Sequence, residues 1–575
     1  MTRLLKYCTP YVTFILLAIA LLFGQAACDL SLPDYMSDII NNGIVSANTR
    51  EILSIGLKML GFSLLSAVCS VAVSMIAARV AAGVCKTLRL NIFEKVETFS
   101  NAEFDKFSTS SLITRTTNDI TQVQTLIVMV IRMVFYAPIM GTGGVLRALA
   151  KSKSMTWIIA LAVVCLLCLV GFIFVVAMPR FRLIQKLIDR LNLVVREHLE
   201  GMLVIRAFST QKFEEQRFDK ANRDLTNNNL FINRVMSAMM PTMMLIMNLI
   251  TVLIVWVGSR QVSAFHMQVG DMMAYMQYVM QIIMAFLMMA MMFIMIPRAS
   301  VSAERIADVL ETEPAIVNPQ DITPMDHCNG VVRYEHVSFR YPGAEEDVLH
   351  DIDFTANPGK TTAFIGSTGS GKSTIVNLLP RFYDVTEGRV TIDGVDIRKL
   401  DLHELRRQLG YVPQKGILFS GTIQSNLAYA DPDATDEELT NAAQIAQAME
   451  FIDSKPARFD TDIAQGGSNV SGGQKQRLSI ARALVKKPQI YIFDDSFSAL
   501  DFKTDANLRA ALREKTGWTT TLIVAQRISS IMYADQIIVL ENGRIAGKGT
   551  HQELMENCEV YREIALSQLS KEELA

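Results

Sequence analysis

The stretch Gly366-Ser367-Thr368-Gly369-Ser370-Gly371-Lys372-Ser373-Thr374 fits the pattern G-x-x-x-x-G-K-[ST]. It follows the strand-like run Thr361-Thr362-Ala363-Phe364-Ile365 and leads into a helical pattern through Leu379. In that context the glycines let backbone N–H groups close around phosphate oxygens, and the helix N-terminus adds positive potential. Lys372 reaches the outer phosphates and Ser373 can ligate magnesium. Further on stands Ile490-Tyr491-Ile492-Phe493-Asp494-Asp495. Its four β-branched and aromatic residues read as a strand buried on both faces, as in a parallel sheet. An acidic pair at the carboxyl end of such a strand lies where open α/β sheets bind ligands. Asp494 supplies the carboxylate that holds magnesium in sites of this kind.

Between the two lies Val470-Ser471-Gly472-Gly473-Gln474-Lys475-Gln476-Arg477, opening a helical pattern through Ala483. A Ser-Gly-Gly at a helix start is itself an anion-binding arrangement, so Ser471, Gly472, Gly473 and Gln474 form a second phosphate-gripping surface. Around these motifs, short β-rich runs alternate with helical patterns over 331–575, as in an α/β domain. Residues 314–330, with Asn318-Pro319-Gln320-Asp321 and Pro324, read as a linker.

Ahead of the linker the composition changes. The chain has 575 residues, more than one core usually takes, and 50% of them are hydrophobic; its mean hydropathy is +0.26. Six apolar stretches, 11–28, 53–78, 126–146, 156–178, 235–258 and 272–296, approach or exceed the roughly 20 residues a helix needs to cross a bilayer. Their charged residues are Lys58 and Arg132 alone. The expected fold is therefore a membrane α-helical domain of six transmembrane helices over 1–313, fused to an α/β P-loop nucleotide-binding domain. Gln25-Ala26-Ala27-Cys28 resembles a lipoprotein processing site, but Gln25 is wrong for one and five spans follow, so the first span is read as uncleaved. Residues 179–234 carry eleven Lys and Arg and 79–125 carry six, which assigns both as cytoplasmic loops, with both termini and the nucleotide-binding domain inside. Arg147, Lys151 and Lys153 fall on the outer side and argue against that assignment.

The net charge of −2 gives no sign of nucleic-acid binding. Cys165-Leu166-Leu167-Cys168 has the redox spacing but lies inside an apolar span, where lipid-facing or packing roles are expected.

SGGQKQR between a phosphate loop and FDD resembles the signature of the ABC ATPases, and six spans fused ahead of it resemble a half-transporter of the ABC exporter type. The likeness covers nearly the whole chain. It implies that Tyr341 of Phe339-Arg340-Tyr341-Pro342 stacks on adenine, and that Gln414 of Tyr411-Val412-Pro413-Gln414 joins Ser373 and Asp494 at magnesium and links nucleotide to the membrane domain. Ser498-Ala499-Leu500-Asp501 matches the family's D-loop. Thr114-Arg115-Thr116-Thr117-Asn118-Asp119 and Glu200-Gly201-Met202-Leu203-Val204-Ile205-Arg206-Ala207-Phe208 resemble its two cytoplasmic loops. The family pairs nucleotide domains head to tail, each ATP lying between the phosphate loop of one and the signature of the other. This chain supplies half of such a unit.

Three positions depart from the family. Asp495 stands where a glutamate usually polarises the attacking water, and its carboxylate is withdrawn by about 1.5 Å, one carbon–carbon bond. Gln526, in Ala525-Gln526-Arg527, stands where a histidine contacts the γ-phosphate and has no proton to give. Ile463-Ala464-Gln465-Gly466-Gly467 lacks the usual coupling glutamate and arginine. With Lys372, Ser373, Gln414, Asp494 and the signature intact, the resemblance points to one subunit of a heterodimeric exporter. Its own ATP site binds ATP and Mg2+ but hydrolyses poorly, and its signature completes the site of a second, different half-transporter chain.

Met273, Met276, Met280, Met284, Met288, Met291 and Met295 recur at steps of three and four on the sixth span, as do Met236, Met240, Met243 and Met247 on the fifth. Such stripes either line a cavity for apolar cargo or pack helix on helix. Arg132 either serves that cavity or snorkels to the inner interface. Few charges in the spans favour a hydrophobic or amphiphilic small molecule, a drug or a lipid, moved outward across a plasma membrane. With the first span starting near residue 11, no peptidase domain of the kind in peptide-secreting relatives is expected ahead of it. The alternatives are an importer of siderophore-like cargo on the same fold and an ATP-binding regulatory subunit. Transport in inverted against right-side-out vesicles separates the first, and absence of nucleotide-driven state changes marks the second.

Overall fold

The computed structural model describes residues 2–325 and 327–569, apart from the side chains of residues 2, 174, 182, 291, 293–295, 297 and 298. Met291 and Met295 of the sixth-span stripe thus lie outside the described side chains. The chain forms two compact units, one of Met1–Glu97 with Ser110–Thr312 and the other of Thr98–Thr109 with Glu313–Ala575.

In the membrane unit six helical runs are long and apolar enough to cross a bilayer: Arg3–Ile44, Thr49–Glu97, Thr109–Lys151, Lys153–Glu200, Gln211–Ser263 and Val269–Ala290. Backbone hydrogen bonds close within such runs, as a chain crossing hydrocarbon requires. Four of these runs exceed 42 residues, over twice what the bilayer requires. The basic segments expected as loops are therefore largely continuous helix. Lys, Arg, Glu and Gln are good helix formers in water, so leaving the apolar layer does not end the helix. The first segment is broken on either side of the short helix Asn101–Phe107 and the second around the short helix Met202–Ala207, where Leu203 is 81% exposed and Phe208 75%.

Polar groups inside this unit are mostly paired. Tyr275 and Tyr278 are fully buried and donate to the carbonyls of Met155 and Leu30 at 2.8 and 3.0 Å. Asp29 accepts from Ser66 Oγ and from Tyr136 Oη, both at 2.6 Å. Arg147 pairs with Asp34 at 2.5 Å, and Lys151 bridges Asp34 at 3.4 Å and Asp271 at 2.8 Å. Two of the three basic residues that argued against the topology are thus neutralised by acids of the same unit.

The second unit holds two main sheets. Strands β1 (Val332–Phe339), β2 (Leu349–Ala356), β3 (Thr361–Gly366), β4 (Glu387–Ile392), β5 (Val395–Asp396) and β6 (Leu409–Val412) are followed by β7 (Gly421–Thr422) and β8 (Asp462–Ile463). After them come β9 (Ile490–Asp494), β10 (Thr520–Val524), β11 (Gln536–Glu541) and β12 (Arg544–Gly549). An antiparallel sheet runs β2-β1-β4-β5, and a six-stranded sheet runs β12-β11-β3-β10-β9-β6. In the latter β11, β3, β10, β9 and β6 are mutually parallel. Every residue of β9 is buried, which is why IYIFD is apolar without alternation.

The segment Thr98–Thr109 folds with this unit, although the apolar spans on either side of it place it with the membrane part. Its helix Asn101–Phe107 is held by Glu103, buried at 6% exposure. One Glu103 oxygen accepts from the backbone N–H and hydroxyl of Ser100 at 2.7 Å each, the other from the N–H of Ala315 at 3.0 Å. Tyr383 donates to Asp105 at 3.2 Å. Thr114 to Asp119, likened above to a family loop, lies in the membrane unit, where Asp119 accepts from Ser302 at 2.8 Å.

Glu103→Ala removes a buried charged acceptor worth about 1.5–3 kcal/mol. Amide exchange across residues 98–109 and 313–317 is expected to quicken about 10- to 100-fold in hydrogen–deuterium exchange. Unchanged exchange would mean that the segment is held by other contacts.

Candidate functional site

Four parallel strands end at one edge of the six-stranded sheet, and the residue or loop that follows each carries a candidate group. The phosphate loop follows β3, Gln414 lies two residues beyond β6, Asp494 ends β9 with Asp495 next, and Gln526 lies two residues beyond β10. Registers align Val524 with Asp494 and Phe364, and Val412 with Phe493, so these ends are level. This is the carboxyl edge at which such sheets bind ligands.

The loop itself is shaped by two glycines in backbone regions that side chains avoid. Gly366 has φ +156°, and a Cβ there would lie 2.1 Å from the carbonyl oxygen of Leu540; Gly371 has φ +94°, and its Cβ would lie 2.6 Å from Leu349. Between them Ser367, Thr368, Gly369 and Ser370 arch over the start of the helix Lys372–Leu378. The Lys372 ammonium donates to the carbonyls of Gly366 at 2.9 Å and Ser367 at 2.7 Å. It is therefore curled into the loop where phosphate oxygens can replace carbonyls as acceptors. Burial lowers its pKa, against the pull of Asp495 and Asp494.

Ser373 Oγ donates to Asp494 Oδ1 at 2.8 Å. A hydroxyl and a buried carboxylate this close fit a hard cation that takes its remaining ligands from phosphate and water, which is how magnesium is usually held. No cluster of three acidic, histidine or cysteine ligands is found among the described residues. Such a cluster is what a protein-only metal cage would need. Thr374 shares a hydrogen bond of 3.0 Å with the hydroxyl of Tyr341, whose ring packs edge-on to Phe339 and Tyr383.

Asp495 departs from strand geometry at φ +47°, a left-handed conformation that Asp tolerates better than most residues. Its N–H is fixed to the Val524 carbonyl at 3.0 Å. Its Oδ2 accepts from two amides, Gln526 Nε2 at 2.7 Å and Gln414 Nε2 at 3.1 Å. Two of the three positions that depart from the family pattern, 495 and 526, therefore touch. Gln414 is turned toward Asp495 by its amide nitrogen, and no hydrogen bond joins it to Ser373 or Asp494 among the described residues. Burial pushes the carboxyls of both Asp494 and Asp495 above the usual carboxylate range, with Ser373 and Gln414 respectively opposing the shift.

Ser471 to Gln474 lie apart from this group. They form a capping box: Ser471 Oγ accepts from the Gln474 N–H at 3.3 Å, and Gln474 Oε1 from the Ser471 N–H at 3.0 Å. Ser471 and Gly472 are exposed, and no hydrogen bond ties the four to the phosphate loop among the described residues. Asp501 caps the helix Phe502–Lys515 by accepting from the Thr504 N–H at 3.0 Å. The stretch Ile463-Ala464-Gln465-Gly466-Gly467 is closed by Asn469, which accepts from the Ala464 N–H at 3.0 Å.

In the membrane unit, Arg132 and Met288 line one hollow of about 740 Å³, and Met280, Met284 and Met288 line a second of about 320 Å³. Met243 does not belong with them. It is 3% exposed and packs in the core among Ile250, Ile254 and Tyr275, because its place on the fifth-span stripe faces neighbouring helices.

Several supporting residues escape the motifs. Gln568 donates to the Gln526 carbonyl at 2.8 Å and accepts from the Ile528 N–H at 2.8 Å, tying down the loop that carries Gln526. Arg527 donates to the Ser498 carbonyl at 3.2 Å. Nothing local in the sequence marks either contact. Glu103 could have been found, since Ser100-Asn101-Ala102-Glu103 is a capping-box pattern.

Against known proteins, residues 15–286 match the family model for the ABC transporter transmembrane region and 349–498 that for ABC transporter. A Mycobacterium tuberculosis protein described as an uncharacterised ABC transporter ATP-binding protein is 41% identical over 567 residues, 98% of this chain and 97% of its own. The ATP-dependent lipid A-core flippase of Pseudomonas aeruginosa is 32% identical over 487 residues, 83% of this chain and 79% of its own. The structure of a bacterial Atm1-family ABC exporter with ATP bound superposes with a TM-score of 0.78 at 25% identity, covering 99% of both chains.

Asp495→Asn is expected to raise the thermal midpoint of the nucleotide-free protein at pH 7. The asparagine carbonyl still accepts from both amides while the buried charge is gone. Because the folded carboxyl has a raised pKa, its penalty grows as pH climbs from the ordinary value of about 3.9 through the folded one. Below that range aspartate is protonated in both states and the gain should vanish. Unfolding scans of both proteins at pH 7 and pH 3 decide it, and a gain that persists undiminished at pH 3 would rule out the burial penalty as its source.

Proposed function

The chain belongs to the ABC transporters, as a membrane region fused to its own ABC ATPase domain, and from that premise we propose that it is one half of a heterodimeric exporter whose own ATP site holds nucleotide more than it hydrolyses it. The observation that carries this reading is the contact between Gln526 and Asp495. A carboxylate one methylene short, already accepting two amide hydrogens, is poorly disposed to take a proton from water. The glutamine beside it has no proton to give.

The binding groups argue for a site that still grips. Lys372 and the loop N–H groups would meet the outer phosphates of a bound nucleotide, and Ser373 with Asp494 would hold its magnesium ion. When bound, that ion neutralises charge building on the transferring phosphate. Gln414 donates its amide nitrogen to Asp495, and its carbonyl oxygen would be the atom offered to that ion. The capped and exposed Ser471 to Gln474 suit phosphate arriving from elsewhere, namely a nucleotide held by a second, different chain. The exposed Leu203 and Phe208 give that chain an apolar surface to dock on.

The cargo is proposed to be a hydrophobic or amphiphilic molecule moved outward across the plasma membrane. A relative bearing the name of a lipid flippase and the weakly charged spans support that class.

Steady-state ATPase in lipid nanodiscs tests the reading, with this chain alone and with a neighbouring ABC half-transporter. Activity is expected only in the complex and should survive Asp495→Asn. Asp495→Glu with Gln526→His should raise turnover at the chain's own site by tenfold or more, since a positioned general base contributes about 10²–10⁴-fold. Comparable activity from the unmodified chain alone would make Asp495 a working base and the transporter a homodimer.

A further inference from the structure

Arg132 lies in the Val130–Val134 turn of the helical run Thr109–Lys151, inside an otherwise apolar stretch. Asp29, Asp34, Arg147, Lys151 and Asp271 of this unit all have hydrogen-bonding or ionic partners. Arg132 has no ion pair and no hydrogen bond among the described residues, and it is exposed to a hollow of about 740 Å³. Gln25, Gln124 and Thr125 add neutral polar groups to that wall, and no Asp or Glu lines it. A guanidinium without a counter-ion at this depth is costly unless water or an anion meets it.

Depth and neighbourhood narrow the anion. Arg132 precedes Arg147 by fifteen positions, about 22 Å along a helix. The Arg147–Asp34 pair marks the polar boundary at the far end. In a hydrocarbon layer about 30 Å thick, Arg132 then sits about 8 Å from the opposite, cytoplasmic boundary. This is within reach of a headgroup drawn inward from that leaflet. The second hollow, about 320 Å³ and lined by Met280, Met284 and Met140, shares Tyr136 and Met288 with the first. A cationic chamber thus opens beside an apolar, deformable one. Asp29 borders the apolar chamber, but its carboxylate is already bound by Ser66 and Tyr136.

We propose that Arg132 binds the headgroup of an anionic amphiphile, a carboxylate or phosphate on an apolar chain, with the chain lying over Met280, Met284 and Met288. Guanidinium meets both heads through paired N–H donors, which a zwitterionic or cationic head cannot match as well. The assignment rests on the amphiphile-transport reading above and narrows its cargo to one charge class.

The test measures binding of dodecanoate, dodecyl phosphate, dodecylphosphocholine and inorganic phosphate to the purified full chain in dodecyl maltoside, corrected against empty micelles. Wild type is expected to bind both anionic amphiphiles about 10- to 100-fold more tightly than dodecylphosphocholine, the range for a hydrogen bond to a charged group. Inorganic phosphate should bind far more weakly. Arg132→Gln should erase the preference, and Arg132→Lys, which keeps the charge but loses the paired donors, should retain only part of it. The comparison of dodecanoate with dodecyl phosphate then names the head. Equal affinity for all three amphiphiles, or a preference that survives Arg132→Gln, overturns the assignment and leaves the transport reading standing. Inorganic phosphate binding as tightly as dodecyl phosphate overturns the amphiphile. Failure of every amphiphile to bind wild type takes the cargo class of the transport reading down as well.

Discussion

The groups proposed to meet the phosphates and magnesium of this chain's own nucleotide all hang from the carboxyl edge of the parallel strands in one sheet. The buried strand Ile490–Asp494 sits between β10 and β6, and its register fixes how far Asp494 stands from Ser373 and Asp495 from Gln526. A slip of one residue would turn Asp494 to the opposite face of the sheet and leave a carboxylate in an apolar core. The apolar run before the acids is therefore what makes the acids usable. The same constraint brings in Gln414 and Gln526, each two residues beyond a strand end, without any local motif having to place them.

What could be read from the sequence follows from how local each signal is. Phosphate loops, buried strands and membrane spans write their physics into consecutive residues, as glycines with unusual φ, runs without polar alternation and apolar stretches of bilayer length. The Gln526–Asp495 contact joins positions 31 apart, and the left-handed turn at Asp495 is set by the Val524 carbonyl it bonds. Neither leaves a local trace. The allegiance of Thr98–Thr109 was hidden for a different reason. Its flanking sequence is dominated by apolar spans, while the contacts that tie it to the second unit, Ala315 to Glu103 and Tyr383 to Asp105, come from residues more than 200 positions away. Helix continuity past the membrane also escaped, because charge marks the water boundary and says nothing about where a helix stops.

Methionine spacing shows the same limit. Met243 and Met284 both recur at helical intervals, yet the first is packed in the core and the second lines a hollow. A period of three and four reports only that residues share a face of a helix. Which neighbour that face meets is decided by the other helices. Charge is more informative than period here, since an unpaired cation in hydrocarbon demands a partner and the structure can be searched for one.

Two effects act on hydrolysis at this chain's own site, and their sizes can be compared. Holding Asp495 with two amides costs about 0.5–1.5 kcal/mol per hydrogen bond to undo. Releasing both slows a step that needs the free carboxylate by roughly 5- to 150-fold. A general base contributes about 10²–10⁴-fold, so the two amides alone would mute catalysis without ending it. The missing methylene acts differently, because no release of amides lengthens the side chain. On the proposed reading the shortened reach therefore sets the low rate, and the two amides add to it by occupying the carboxylate oxygen that would accept the proton. Such a site can still bias the transporter, since ligand binding shifts a conformational equilibrium by its differential affinity for the two states whether or not the ligand is consumed. Turnover is then needed only at the site that the exposed signature completes.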